Sequence, residues 1–276
     1  MRTEESRCTQ RNDDSGHDLL VNEGSCGGSG QTMITGVVLN WTRPENVRQI
    51  VSSWESTGLV SEALVWNNNP QVVLKEMRRA TIVNVNQDRG LYTRFAAMCL
   101  ASNDCVLIQD DDLEIPKVAL EKLYAAYRAD PEILHGVFGR APKKDGSYAR
   151  TVCGDAEAPI VLTRVLLAQR MYASRFFAVA AKFQPVQCQA QPSGNGEDII
   201  FSYAVRERTR RLHRVHAVSI RELPARDAIH RRNWQNHVFH RTRLLRACEA
   251  WLKENSDEDR SRVLHLQTPK ATGAGD

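Results

Sequence analysis

Several signatures that would assign this sequence to a common class of protein are missing. It contains no G-x-x-x-x-G-K-[ST] motif and no Gly-Lys dipeptide, which argues against a P-loop ATPase. No run of about 18 apolar residues occurs, so no transmembrane helix is predicted. The first residues, M-R-T-E-E-S-R-C, lack the apolar core of a signal peptide. Taken alone, these absences favour a cytoplasmic protein.

Cysteine patterns typical of metal sites are also missing. The seven cysteines are scattered, with no C-x-x-C pair and no Cys/His spacing typical of zinc. Cys99, Cys105 and Cys248 lie in apolar stretches and are predicted to be buried thiols. This pattern favours a reducing compartment, and it leaves one or two disulfides open.

The composition is that of an ordinary globular protein. The chain has 276 residues, with 42% hydrophobic and 25% charged residues, enough for one large domain or two small ones. The net charge of +4 is mild and does not by itself indicate a nucleic-acid partner. Residues 1–31 are polar and rich in Gly and Ser and are predicted to be a disordered lead. Residues 255–276 are predicted to be a flexible tail.

Strands and helices alternate through the remaining domain, residues 32–254. Strands are predicted at residues 33–40, 63–66, 81–85 and 105–108, and later at 133–139, 159–163 and 215–220. Helical apolar periodicity separates the first four strands, and helices are also predicted after residues 116, 197 and 233, whereas residues 172–183 fit either structure. The alternation predicts an α/β fold, with a mostly parallel sheet and helices on both faces.

Three consecutive carboxylates, Asp110, Asp111 and Asp112, follow the apolar strand at residues 105–108. Ligands of open α/β sheets bind outside the carboxyl ends of the strands, and carboxylate oxygens suit Mg²⁺ or Mn²⁺. The position therefore predicts a metal site that also holds a diphosphate. The alternative is an exposed acidic turn that caps the following helix.

A second acidic pair, Glu197 and Asp198, follows the loop at residues 186–196 and begins a helix, where the helix dipole alone would favour acidic residues. The segment from residue 206 to residue 243 is the most basic part of the chain, with eleven arginines and five of the eight histidines. Within it, His237 and Arg241 are four residues apart and share a helix face. Such a segment fits a solvated face, a nucleic-acid patch or a phosphate clamp.

Five landmarks, in order, resemble those of the exostosin-like glycosyltransferases of glycosyltransferase family 64. The resemblance extends from about residue 33 to about residue 251. The landmarks are V-V-L-N-W-T-R ending at Arg43, V-W-N-N at 65–68, L-I-Q-D-D-D at 107–112, G-E-D-I-I-F at 196–201 and H-x-x-x-R at His237 and Arg241. The resemblance implies a GT-A fold, transfer of an N-acetylhexosamine or a related sugar from a UDP-sugar to a glycan or other hydroxyl acceptor with retention, and a Golgi or endoplasmic reticulum location.

The resemblance also implies roles for the matched residues. Asp112, together with Asp110, would bind Mn²⁺ or Mg²⁺ against the diphosphate of the donor. Asp198 would face the anomeric carbon as the catalytic carboxylate, Glu197 would support it, and Arg241 would pair with the diphosphate. The other residues expected to contact the substrate are Arg43, Asn67, Asn68, Arg89, Arg94, Asp111 and His237.

Three alternatives remain open at this stage. An inverting GT-A enzyme of the family 2 type would use the same aspartates and would differ in the anomeric configuration of its product. A nucleic-acid-binding protein would use residues 206–243, although aromatic residues are not interleaved with that basic segment. An inactive relative that only binds its ligand is disfavoured by the presence of both acidic clusters and Arg241.

Overall fold

Alternating strands and helices build the part of the chain that this computed structural model describes, residues 33–187, 195–225 and 234–267. The strands are β1 (Ile34–Asn40), β2 (Val60–Asn67), β3 (Ala80–Asn84), β4 (Cys105–Gln109), β5 (Leu113–Glu114), β6 (His135–Gly136), β7 (Gly139–Ala141), β8 (Arg150–Val152), β9 (Ala156–Ala158), β10 (Ile160–Val161), β11 (Val165–Gln169), β12 (His213–Val215) and β13 (Arg221–Glu222). The helices are α1 (Pro44–Thr57), α2 (Thr93–Cys99), α3 (Lys117–Ala129), α4 (Tyr172–Gln187), α5 (Glu197–Thr209) and α6 (Trp234–Gln267).

A central sheet of eight strands has the order β3-β2-β1-β4-β11-β6-β12-β9. Four of its seven pairings are parallel, and the antiparallel ones involve β11 and β9. Helices flank the sheet, with α1 packed near α3, and α2 near α4, which also contacts α5 and α6. The predicted α/β architecture with a mostly parallel sheet is confirmed. Since β1, β2 and β4 are parallel neighbours, the segments that follow them meet at one edge of the sheet.

Helix α1 shows how local sequence signals position the end of β4, the strand that the aspartates follow. It begins at Pro44 and ends before Gly58, whose φ of 73° is the left-handed conformation that glycine adopts readily. Its buried face carries Trp54, which packs so closely on Gly36 of β1 that a Cβ there would lie 2.5 Å from the indole ring. The Trp54 indole N–H donates to Oε1 of Gln109, and Gln109 in turn donates to the Leu113 carbonyl. This chain of contacts holds both sides of the aspartate triplet.

Other predicted elements differ from the structure. The strand predicted at 215–220 is formed at His213–Val215 instead, because the Ala217 N–H donates to the Asp155 carboxylate and the backbone leaves the sheet. The strand predicted at 133–139 is divided between β6 and β7, which belong to different sheets. The ambiguous stretch at 172–183 is helix α4, and it packs through a buried face that includes the aromatic residues Tyr172, Phe176 and Phe183.

The two chain ends can be compared with the predictions only in part. The predicted lead at residues 1–31, most of the predicted loop at 186–196 and residues 268–276 lie outside the described residues. Helix α6 continues to Gln267, so part of the segment that was predicted to be a flexible tail after residue 254 is helical. No helix of the described residues is long and apolar enough to cross a membrane.

The four cysteines among the described residues divide into free and bonded residues. Cys105 and Cys248 are buried free thiols, as predicted, whereas Cys99 is exposed at the end of α2, so its predicted burial was wrong. Cys153 is disulfide-bonded. Disulfides persist in oxidising compartments, so this bond does not fit the reducing compartment that the scattered cysteine pattern favoured.

Two histidines face each other where β6 lies beside β12. Nδ1 of His135 is 3.1 Å from Nε2 of His216, and the two rings stack with centroids 5.3 Å apart. Nε2 of His135 is 2.8 Å from the Asp130 carbonyl oxygen, which can only accept, so His135 donates there and its Nδ1 accepts from His216. Burial lowers the pKa of both histidines, and that of His216 falls to about 4.

The ordinary pKa of a histidine is 6.5, and that of His216 in the folded protein is about 4. We expect the free energy of unfolding to decrease as the pH falls through this interval. In this window the unfolded chain binds protons on histidines that stay neutral in the folded protein, so acid favours unfolding. The His216→Gln variant should show a shallower decrease in its urea midpoint between about pH 7 and about pH 5. An identical pH dependence in the variant and the wild type would contradict this account of the histidine pair.

Candidate active site

The aspartate triplet directly follows β4, and hydrogen bonds join the backbone of its loop to other segments of the chain. The Asp110 N–H donates to the Arg164 carbonyl at 2.9 Å, and the Leu223 N–H donates to the Asp112 carbonyl at 2.8 Å. The Asn46 side chain, from α1, donates to the Asp111 carbonyl at 2.8 Å. These bonds come from three separate parts of the chain, so the direction of the triplet is determined by the tertiary structure.

Two arginines pair with the triplet from neighbouring segments. Nη1 of Arg43, which follows β1, lies 2.5 Å from Oδ1 of Asp111. Nη1 of Arg94, on α2, lies 3.0 Å from Oδ1 of Asp110. Burial raises the pKa of Asp111 to about 7; the Arg43 guanidinium acts in the opposite direction, and Asp110 and Asp112 add to the increase.

Arg94 joins the triplet to the second acidic cluster. Its side chain is only 5% exposed, and its Nε lies 3.6 Å from Oε1 of Glu197 while its Nη1 contacts Asp110. Nη1 also donates to the Thr163 carbonyl at 3.2 Å. Burial lowers the pKa of Arg94, but the carboxylates of Asp110 and Glu197 outweigh that effect and raise it. A buried cation between two anions is therefore the link between the two clusters.

Glu197 is the first residue of α5, as predicted, and is fully enclosed. Its Oε1 accepts from the Thr163 hydroxyl at 2.9 Å, and its Oε2 accepts from the Gly196 N–H at 3.1 Å. Burial raises the pKa of Glu197 to about 7; Arg94 lowers it, and the adjacent Asp198 raises it. Burial and Asp198 therefore oppose the ionisation of Glu197, whereas its contact with Arg94 favours it.

Asp198 and Arg241 form a second enclosed ion pair of the site. Nη2 of Arg241 lies 2.6 Å and 2.5 Å from the two oxygens of Asp198, and the side chains are 6% and 7% exposed. Nη1 of Arg241 donates to Oδ1 of Asn195 at 3.0 Å, and the Asn195 amide lies 3.0 Å from Nδ1 of His237. Burial lowers the pKa of Arg241, but Asp198 more than offsets this and raises it.

The structure thus brings together most of the residues predicted from the sequence. Those that lie in one connected network of contacts are Arg43, Arg94, Asp110, Asp111, Glu197, Asp198, His237 and Arg241. Asp112 is adjacent, and its charge acts on Asp111. The diphosphate role that the resemblance implied for Arg241 stays a prediction, since its guanidinium contacts Asp198 and Asn195 in this structure.

Asn67 and Asn68 follow the expected strand but are engaged with the protein. The Asn67 amide donates to Oδ1 of Asn84 at 2.9 Å and to backbone carbonyls, and its oxygen accepts from Asn40 at 2.8 Å. The Asn68 amide donates to Gly90 and Thr93. Arg89 is exposed in the loop before α2. Their predicted contacts with the donor remain predictions.

Three residues that contact the network were not predicted, namely Thr163, Asn195 and Tyr148, whose ring centroid lies 4.4 Å from Cζ of Arg241. Asn195 lies between two glycines directly before the acidic pair, a position that could have marked it as part of the site. Tyr148 is the only aromatic residue in the polar stretch 139–152. Thr163 has no comparable signal, because only the fold places its hydroxyl beside Glu197.

The carboxylates of the site can be assessed as ligands for a divalent ion. Among the described residues, no group of three or more His, Cys, Asp and Glu side chains could hold a metal by itself. Magnesium and similar ions are usually bound by one or two carboxylates together with substrate phosphates, which two residues of the triplet can supply. The aspartate triplet and the acidic pair together contain five carboxylates, against the three guanidiniums of Arg43, Arg94 and Arg241. A divalent cation at the triplet therefore fits the charge of the site.

Four arginines of the basic segment are paired with carboxylates of the same protein. Arg211 contacts Asp130, Arg214 contacts Glu157 at 3.3 Å, and Arg221 contacts Glu114. Arg241 is buried against Asp198. These pairs reduce the positive charge available to a phosphate backbone, so they disfavour the nucleic-acid interpretation.

Solved structures with similar folds define the class of this fold. GalNAc-T7, solved with UDP, GalNAc and Mn²⁺, matches with a TM-score of 0.52 and 9% identity, over 71% of this chain and 44% of that chain. The mannosyltransferase PcManGT from Pyrobaculum calidifontis, solved with GDP-Man and Mn²⁺, matches with a TM-score of 0.49 and 14% identity, over 79% of this chain and 69% of that chain. The fold is the GT-A fold of glycosyltransferases.

Sequence comparison identifies the family. Residues 32–257 match the Glycosyl transferase family 64 domain, and the chain belongs to glycosyltransferase family 64. Glycosyltransferase family protein 64 C3 of Arabidopsis thaliana is 26% identical over 181 residues, which cover 59% of this chain and 55% of that protein. The chain thus spans about half the length of this relative and of GalNAc-T7.

We expect the Arg94→Met variant to lose about 3–5 kcal/mol of stability, because it leaves the carboxylates of Asp110 and Glu197 without their shared cation. Urea unfolding measures the difference. Arg48→Met is a matched control, since the Arg48–Glu45 pair is exposed and should contribute less than about 1 kcal/mol. Equal losses in the two variants would contradict the role of Arg94 as a buried bridge.

Proposed function

We propose that this chain is a metal-dependent, exostosin-like glycosyltransferase, which transfers an N-acetylhexosamine from a UDP-sugar to a hydroxyl group of a glycan or a similar acceptor, with retention. The observation that carries the proposal is the buried Asp198–Arg241 pair, joined to the aspartate triplet through Glu197 and Arg94. The UDP, GalNAc and Mn²⁺ in the GalNAc-T7 structure, which shares the fold, support this choice of donor and metal.

The triplet serves the donor diphosphate in this proposal. Asp112 and Asp110 would hold Mn²⁺ or Mg²⁺, which when bound supplies positive charge against the diphosphate of the departing UDP. Arg43 and Arg94 hold Asp111 and Asp110 by ion pairs, so the carboxylates are oriented before the donor arrives. The loop is also fixed by backbone hydrogen bonds, which reduces the reorganisation needed on binding.

In this proposal, Asp198 faces the anomeric carbon of the donor sugar, where transfer occurs. Arg241 and the Ile199 N–H, which donates to Oδ1 of Asp198 at 2.8 Å, hold the carboxylate in one orientation at the start of α5. A carboxylate fixed in this way can accept the proton of the acceptor hydroxyl or stabilise positive charge that develops on the sugar. Glu197, whose pKa burial raises, lies beside it as a supporting carboxylate. His237, through Asn195, orients the outer edge of Arg241.

A location in the secretory pathway fits this function better than the cytoplasm. The Cys153 disulfide needs an oxidising compartment to persist. The family assignment points to the same pathway.

The Asp198→Asn variant should lose transfer by about 10²-fold or more, the range for removal of a catalytic carboxylate, while its affinity for UDP with Mn²⁺ changes only a few-fold. Product formation from UDP-N-acetylhexosamine donors and calorimetry with UDP measure the two effects. Asp155→Asn is a control, because Asp155 is 60% exposed and lies outside the network. Near-normal transfer by Asp198→Asn would rule out the catalytic assignment.

The Asp112→Ala variant should lose metal-dependent UDP binding, because it removes a carboxylate that faces the proposed ion. Calorimetry with UDP and Mn²⁺ gives the affinity. Asp104→Ala is a matched control, since Asp104 directly precedes the same strand at its other end and its side chain is 81% exposed. If Asp112→Ala binds UDP as tightly as Asp104→Ala does, the metal role of Asp112 is wrong.

A further inference from the structure

A rigid hairpin connects β7 to β8 and approaches the Asp198–Arg241 pair. In its turn, the Lys143 N–H donates to the Ser147 carbonyl at 3.0 Å and the Gly146 N–H donates to the Lys143 carbonyl at 2.9 Å. Oδ1 of Asp145 accepts from both the N–H and the hydroxyl of Ser147. Gly146 has a φ of 73°, which a glycine adopts without strain. The turn therefore has one well-defined conformation.

Hydrogen bonds attach the hairpin to two successive turns of helix α6. The Tyr148 N–H donates to the hydroxyl of Thr242 at 3.0 Å, and Thr242 is the residue after Arg241. One turn further along the helix, the Arg246 guanidinium donates to the Gly146 and Asp145 carbonyls at 3.4 Å and 3.3 Å. The position of Tyr148 relative to Arg241 is thereby fixed by hydrogen bonds between the hairpin backbone and side chains of α6. None of these bonds involves the tyrosine ring.

The ring of Tyr148 covers one face of the Arg241 guanidinium. Cζ of Arg241 lies 4.4 Å from the ring centroid, within the range of a cation–π contact, and Tyr148 is only 6% exposed. Asp198 and Asn195 bind the edge of the same guanidinium. Hydrogen bonds at the edge determine the position of the group in its own plane, whereas a ring against its face limits its tilt. Together they limit both its position in the plane and its tilt.

We propose that Tyr148 is a positioning residue for the proposed transfer reaction, which holds Arg241, and through it Asp198, in the orientation that transfer requires. This inference rests on the proposed function. Tyr148 acts on the reacting end of the site, since its contacts are with Arg241 and with α6. Its loss should therefore reduce the rate of transfer and leave donor binding unchanged. Displacements of about 1 Å in a catalytic group are enough to slow a reaction about 10²-fold.

The test compares Tyr148→Leu, which removes the ring, with Tyr148→Phe, which keeps it. Tyr203→Leu is the control, because Tyr203 on α5 also stacks on an arginine, Arg206, at 4.7 Å but lies outside the site. The first readout needs no substrate: hydrogen exchange of the Arg241 Nη protons, followed by ¹⁵N NMR. The second readout is the kcat and KM for UDP-N-acetylglucosamine and UDP-N-acetylgalactosamine, with the Kd for UDP in Mn²⁺ from calorimetry.

We expect Tyr148→Leu to speed Arg241 exchange about tenfold or more and to lower kcat about 10- to 30-fold, with the Kd for UDP unchanged. Tyr148→Phe should stay within about threefold of the wild type in both readouts, since it keeps the ring. Tyr203→Leu should match the wild type in both.

Two results would overturn the inference. One is unchanged Arg241 exchange in a folded Tyr148→Leu variant, and the other is an equal loss of kcat in Tyr203→Leu. If wild-type protein transfers no sugar, the proposed function fails by itself, and the exchange measurement still decides whether Tyr148 holds Arg241.

Discussion

Burying carboxylates next to one another is unfavourable unless cations are buried with them, and this constraint determines how the site is built. Asp110 and Glu197 share Arg94, and Asp198 binds Arg241 through both oxygens. Desolvation raises the pKa of Glu197 to about 7 even with Arg94 beside it. The cost of burying this charge is therefore only partly offset by its ion pair. Such pairs add little net stability but cost several kcal/mol when one partner is removed, so they define one arrangement of the site.

The fold satisfies this constraint by joining distant parts of the chain. The sheet places the segments after β1 and β4 at one edge, where Arg43 meets Asp111. Helix α2 adds Arg94, α5 begins with Glu197 and Asp198, and α6 returns with His237 and Arg241. The β7–β8 hairpin then encloses Arg241 with Tyr148. The two acidic clusters are thereby held in fixed positions relative to each other, which the proposed transfer from a nucleotide sugar requires.

Much of this arrangement could be predicted from the sequence, because it depends on local signals. An apolar strand that runs into three aspartates, and a glycine loop that runs into Glu197 and Asp198, are both readable in the chain. The partners were harder to predict. The contact of Arg241 with Asp198 could not be predicted, and neither could the bonds of Asn67 to neighbouring strands, which satisfy a buried amide. Tyr148 and Thr163 enter only through tertiary contacts, for which the sequence has no periodic signal.

The most direct test of the central claim is a calorimetric titration of the wild-type protein with UDP, first with Mn²⁺ and then with EDTA. The account predicts binding that depends on the metal, because the aspartates and the diphosphate are acidic groups and a divalent ion offsets their repulsion. Absence of binding in both conditions would contradict the assignment of a nucleotide–metal site at the aspartate triplet.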